Sequence, residues 1–206
     1  NKLASQVIKT QNTYHNQMKL KRKDGSLFWG EINGRAIDQN NPGNGSIWII
    51  ADISERQRIE EESARLLRAV EQSPVSIAIT DREGVIEYVN PFFTKITGYS
   101  ASETIGQTPR VLKSDETHYS VYEDLWRTIL VSDIWRGTLH NRCKDGHLIW
   151  ERTSISPIFN ISGEISHFVA VKEDVTEQRR IEQQLQEHQE HLEELVQERT
   201  IELKQA

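Results

Sequence analysis

The apolar and polar positions change period along the chain, and the changes mark its elements. Two short β-prone runs, residues 75–80 and 85–90, flank Asp81-Arg82-Glu83-Gly84, a turn sequence, and together predict a hairpin. Asn90-Pro91 then sets a capping residue before a proline suited to the first helical position. Phe92, Phe93 and Ile96 follow at helical spacing up to Gly98. A longer helix is predicted over residues 117–130. Beyond it, residues 134–143, 147–158 and 164–174 read as three strands, separated by a Lys-Asp-Gly turn and by Asn160-Ile161-Ser162-Gly163. The order ββααβββ is that of an α+β domain. From residue 177 the period is helical again. Ile181, Leu185, His188, Leu192, Leu195 and Arg199 alternate in steps of four and three, a heptad seam with two polar positions, and predict a parallel coiled coil over 177–206. Ile59, Leu66, Leu67 and Val70 predict a shorter linking helix over 57–70. A homodimer through both helices is the partner state these seams suggest.

The chain also repeats itself. Lys23-Asp24-Gly25-Ser26-Leu27-Phe28-Trp29 returns as Lys144-Asp145-Gly146-His147-Leu148-Ile149-Trp150, a shift of 121 residues, and Asp52-Ile53-Ser54-Glu55 returns as Asp174-Val175-Thr176-Glu177, a shift of 122. A period near 120 is too long for a solenoid and fits tandem domains. Residues 1–56 carry the C-terminal part of a first copy, and residues 66–176 carry a complete second one.

Composition narrows the classes of function. With 206 residues, 36% hydrophobic and 27% charged, the chain is expected to be soluble and globular. Its longest apolar runs, such as Ile47-Trp48-Ile49-Ile50-Ala51, fall far short of the roughly 20 residues that span a bilayer, so a cytoplasmic location is the default expectation and no membrane contact is expected of this segment. A net charge of -6 offers no broad attraction to nucleic acid, and a single cysteine makes no internal disulfide. No phosphate-binding loop, catalytic triad or paired-carboxylate site is visible, so the segment reads as a non-enzyme.

"ITDREGVIEYVNPFFTKITGYSASETIG", "KDGHLIWERTSISPIFNISGEISHFVAVKEDVTEQRR" and the Asp-Val-Thr-Glu exit resemble the PAS domains of bacterial sensor proteins. The resemblance covers almost the whole chain. It implies a five-stranded antiparallel sheet with helices on one face, enclosing a cavity that often holds a small molecule. Fold alone does not name the ligand.

Within that family the second copy resembles the flavin-binding, redox-sensing members found in nitrogen-fixation, aerotaxis and methane-monooxygenase regulators. Those carry a tryptophan on the long helix and an asparagine fifteen residues later on the next strand. Trp126 and Asn141 stand at that separation, with Trp135 and Gly137 between them. An indole offers an isoalloxazine a flat apolar contact, and a carboxamide offers donors and acceptors to its polar edge. The resemblance therefore implies FAD, with Trp126 and Asn141 as contacts, Trp135 as core or pocket rim, and Lys113 and Arg110 near the emerging phosphates. Each residue also has a plainer reading. Trp126 can be the core anchor of an amphipathic helix beside Val121, Tyr122, Leu125 and Ile129, and Lys113 and Arg110 can be solvated loop charges.

Other cofactors fit less well. The blue-light photoreceptors of the family place a reactive cysteine where Pro109 stands, so no thiol adduct is expected, and Cys143 reads as an inert strand-end residue. The nitrogen-fixation type implies a glutamate at Pro109 and a serine at Ala78, two departures that bear on proton access. Haem needs a histidine aimed into the cavity from the long helix; His118, at the helix start, is the one candidate, and haem is disfavoured. His188 and His191 offer no metal spacing and no phosphoacceptor context. "LEELVQERTIELKQA" resembles the segment that leads into a histidine-kinase dimerisation domain, or less often a cyclase. The resulting expectation is a redox or oxygen sensor holding FAD in the second copy and controlling a downstream kinase. The alternative is a cofactor-free PAS pair for dimerisation or small-metabolite sensing. The 121-residue shift sets Ser5, Tyr14 and Leu20 of the first copy opposite Trp126, Trp135 and Asn141, so flavin is expected in the second copy alone.

Overall fold

The computed structural model describes residues 13–38 and 45–205, with side chains through residue 197; Ser5 and the side chain of Arg199 lie outside them. The chain divides into two compact units, residues 1–68 and 69–206. In the first, β1 (Thr13–Lys21), β2 (Leu27–Ala36) and β3 (Ser46–Asp52) form an antiparallel sheet in that order. Helix α1 (Ser54–Glu71) follows, with no buried residue along it.

The second unit holds a five-stranded antiparallel sheet of order β5-β4-β8-β7-β6, made of β4 (Ser76–Thr80), β5 (Ile86–Val89), β6 (Trp135–Arg142), β7 (Leu148–Phe159) and β8 (Ile165–Asp174). The connection from β5 to β6 carries the helices: α2 (Pro91–Thr97), the short α3 (Ala101–Thr104), a 3-10 turn (Pro109–Leu112) and α4 (Tyr119–Leu130). This is the PAS fold.

Local chemistry fixes the elements. Asn90 is fully buried and uses its whole amide: Oδ1 accepts from the Phe93 and Ile77 N–H groups at 3.0 and 2.9 Å, and Nδ2 donates to the Val75 and Val70 carbonyls at 2.9 and 3.2 Å. One side chain thus caps α2 and ties the first strand to the helix before it. Helix α2 ends at Gly98, whose φ of 76° closes the last turn onto the Thr94 carbonyl. Helix α4 begins two residues later than the sequence pattern suggests, because the His118 ring accepts from the Ser120 N–H and caps it.

Two apolar clusters hold the helices to the sheet. Ala78, Ile86, Val89, Phe93 and Leu112 form one, and Leu125, Ile129, Trp135, Leu139 and Phe168 the other. A fully buried side chain such as Ile86 or Phe93 contributes about 1.5–3 kcal/mol. Helix α5 (Thr176–Gln205) leaves from β8 with Ile181, Leu185, Leu192 and Leu195 exposed. Among the described residues, no helix is long and apolar enough to cross a membrane.

Candidate functional site

Between the two clusters lies a cavity of about 740 Å³, walled by Ile86, Phe93 and Leu112 on one side and Leu125, Ile129 and Phe168 on the other. Its size falls in the range of small-molecule pockets, roughly 300–1,000 Å³. The lining is apolar in the middle and polar at one end.

Strand register builds that end. Inward positions alternate along each strand, so Leu139 and Asn141 of β6, Glu151 and Thr153 of β7, Lys172 of β8 and Ser76 of β4 share the helix-facing side. Asn141 Nδ2 donates to Glu151 Oε2 at 2.5 Å, and Lys172 Nζ donates to the same oxygen at 3.1 Å. Asn141 and Lys172 line the cavity. An extended segment after the 3-10 turn pins this strand end in place. Lys113 bridges to Asn141 through the backbone, Ser114 Oγ donates to the His140 carbonyl, and the His140 N–H donates to Thr117 Oγ1 at 2.9 Å.

Trp126 forms the lip. It projects from α4 at 39% exposure, meets Phe168 edge-on at 6.3 Å, and lies so near Gly84 that a Cβ there would come within 3.0 Å of its Cη2. Gly84, with φ +84°, both makes the β4–β5 turn and leaves room for the indole. Arg110 and Lys113 line the same mouth, and Lys113 Nζ stands 5.2 Å from the Tyr122 ring centroid. Tyr122 also lines the cavity, and its hydroxyl is buried without a hydrogen-bond partner among the described residues.

The structure thus brings Trp126, Asn141, Lys113 and Arg110 to one cavity and leaves Trp135 out of it. Trp135 is buried against Gly137, donates its indole N–H to Asp124 at 3.1 Å and belongs to the cluster with Leu125 and Ile129. It belongs to the core and is not among the residues that line the cavity, although its cross-strand partner Ile155 is. Pro109 and Ala78 both line the cavity. Cys143 does not. It is buried, its thiol points to the Ile96 carbonyl, and burial pushes its pKa up to about 11, with Asp145, Glu151 and Asp174 adding to the shift. His118 is exposed and spent on the helix cap. Among the described residues no group of three or more His, Cys, Asp or Glu side chains could hold a metal ion. Glu151 and Lys172 were not anticipated, although both are ionisable residues at inward positions of alternating strands, which is a sequence-level flag.

Comparison with known proteins agrees with this architecture. A PAS fold family model matches residues 64–175, and a PAS domain model matches residues 1–55. The chain belongs to the PAS family. It is similar to a nitrogen fixation regulatory protein of Klebsiella pneumoniae, 39% identical over 119 residues that cover 58% of this chain and 24% of the relative. It is also similar to the oxygen sensor protein DosP of Escherichia coli, 27% identical over 175 residues, 81% of this chain and 21% of the relative. The chain therefore spans about a quarter or less of the length of these curated relatives. An RNA-binding light-oxygen-voltage receptor structure shares the fold, with a TM-score of 0.56 at 16% identity over 92% of this chain and 85% of that one. The chain is a PAS sensory module, similar to a nitrogen fixation regulatory protein and to an oxygen sensor protein.

Proposed function

We propose that residues 66–176 hold FAD noncovalently and sense redox state or oxygen, and that α5 passes the state of the site to a downstream histidine-kinase domain. The observation that carries this reading is the meeting of Trp126 and Asn141 on one cavity that is apolar in the middle and carries Lys172, Arg110 and Lys113 at its polar parts. The residues present fit the group. Trp126 offers a flat apolar contact, Asn141 and Lys172 address a polar ring edge, and Arg110 and Lys113 stand at the mouth where phosphates would be held. A bound flavin supplies reversible electron acceptance. Similarity to a nitrogen fixation regulator and to an oxygen sensor supports the same reading.

The route from site to helix is short. His140, next to Asn141, stacks on Trp150 with ring centroids 4.0 Å apart and planes 3° from parallel, and Arg179 of α5 covers the same indole at 4.1 Å. The Trp150 N–H donates to Thr176 Oγ1 and its carbonyl accepts from Val175, both at 2.8 Å, while Arg152 donates to Gln178. A ligand that shifts β6 by a small amount therefore biases the first turn of α5.

The reading assigns 1–56 to the end of a first PAS domain, 57–70 to a linker helix and 177–206 to a coiled coil in a cytoplasmic homodimer. The exposed seams of α1 and α5 support the dimer. Removing residues 178–206 is expected to weaken it, and an unchanged mass by light scattering across dilution locates the interface elsewhere. The central test is the visible spectrum of the purified protein with chromatography of the nucleotide released by heat. Flavin bands and free FAD are expected. A colourless protein that takes up no added FAD favours the cofactor-free alternative.

A further inference from the structure

The proposed contacts use Lys172 and leave its buried partner, Glu151, without a role. Glu151 is 1% exposed and Lys172 5%, and each carries a charge that folding removed from water. Such a pair holds a sheet together no better than packed apolar side chains of similar volume, because desolvation offsets the attraction. Its geometry suggests what it is for. Glu151 Oε2 accepts from Asn141 Nδ2 and from Lys172 Nζ together. The Asn141 amide is planar, and with its nitrogen pinned on the carboxylate its oxygen lies on the other side, where no described residue donates to it. Turning the amide over would set its oxygen against the carboxylate, a contact between two acceptors in a buried site.

We propose that Glu151 is the positioning residue of this cavity. Bonded to both Lys172 and Asn141, it holds Asn141 with the amide oxygen toward the ligand, so the polar end presents an acceptor next to the Lys172 donor. That pairing selects a ligand edge on which an N–H donor adjoins a carbonyl acceptor, an imide-like edge. The identity of the ligand rests on the flavin reading, since an isoalloxazine carries such an edge; the orientation of Asn141 does not rest on it.

The test compares the 206-residue chain with Glu151→Gln, Lys172→Met and the double variant. The first readout needs no ligand. Nitrogen-15 NMR of the side-chain amides, with Asn141 assigned by its loss in Asn141→Asp, is expected to show one amide proton shifted downfield and slow to exchange, the mark of a short bond to a carboxylate. Glu151→Gln should return it toward ordinary positions. So should the double variant, even where removing both charges restores thermal stability, which separates positioning from folding. A resonance unmoved in the double variant overturns the proposal. The second readout applies to flavin-loaded protein. The midpoint potential is expected to rise in Glu151→Gln, which leaves a cation beside the ring, and to fall in Lys172→Met, which leaves an anion. Shifts of the same sign in both overturn it. Protein that shows the amide result and takes up no flavin refutes the ligand and keeps the positioning role. Flavin-loaded protein with neither result does the reverse.

Discussion

The two copies of the repeat share an exit and differ in a site. In the first unit the Trp29 N–H donates to Ser54 Oγ at 2.9 Å, the Trp29 carbonyl accepts from Ile53, and Asp52 accepts from the Ser54 N–H. In the second, Trp150, Thr176, Val175 and Asp174 make the same bonds in the same order. The turns repeat too. Asp24 and Asp145 each accept from the N–H two residues on, and Gly25 and Gly146 take φ of 91° and 94°. The inner face does not repeat. Where the second unit sets Asn141, Glu151 and Lys172, the first sets Leu20, Gly30 and Ile50, and a Cβ on Gly30 would lie 2.3 Å from Leu20 Cδ1. Where Ile155 and Ala170 line the cavity, the first unit has Gly34 covered by Trp48. A sheet surface that must leave a helix in a fixed direction tolerates few sequences, while its inner face is free to become either a pocket or packing.

The comparison breaks most directly at position 151. Glu151→Ala strands the Lys172 cation in the protein interior and is expected to cost about 3–5 kcal/mol, read as the urea transition of the unit holding residues 69–206. The matching change in the other unit, Gly30→Ala, crowds Leu20 and should cost about 1–3 kcal/mol. Equal losses would mean that the polar end is ordinary packing. The ligand gives a smaller effect. One flavin per chain is expected when a complete first copy is present, and two would contradict the difference between the inner faces. Trp126→Ala should lose about 0.5–1.5 kcal/mol of ring contact beyond the buried area, a titration with FAD weaker by at least about two- to twelvefold. An undiminished affinity would return Trp126 to the role of helix anchor.

The smallest effect concerns the turn. Lys144 reaches a helix: its ammonium bonds Glu103 of α3 at 2.5 Å. The Lys144 ammonium first, and then the Ser100 N–H and hydroxyl, hold the Glu103 carboxyl down to about 2 from 4.5. A carboxyl so depressed contributes fully above its unfolded value, and the contribution is lost as pH falls through the folded one. Both side chains are exposed, so the gain is slight. The stability difference between wild type and Glu103→Gln should therefore be visible near neutral pH and vanish on acidification. A difference that persists in acid would assign it to the capping box alone.

Much of this was legible in the chain. Asn90-Pro91, the Lys-Asp-Gly turns and the alternating strands encode their structures locally, within a few residues, and the structure follows them to within two residues at most boundaries. The pairing of Trp126 with Asn141 on one cavity could be expected from their separation and the family resemblance. The Glu151–Lys172 pair could not, because it spans 21 residues and depends on the register of β7 against β8. For Trp135 the sequence left core and pocket rim open, and it packs in the core. Alternation puts it on the inward face with Asn141, but alternation says nothing of position along the strand, and Trp135 sits at the far end.

The stack of His140, Trp150 and Arg179 has an optical consequence. An indole held between an imidazole and a guanidinium emits according to both neighbours, and the guanidinium belongs to the outgoing helix. Trp126 stands apart at the lip of the cavity, where an aromatic ligand would quench it. The second unit therefore carries two intrinsic fluorophores that answer different questions, one to occupancy and one to helix displacement. With the other tryptophans replaced by phenylalanine, the order in which the two signals change after mixing with ligand would time the passage of the signal across the sheet, without any label.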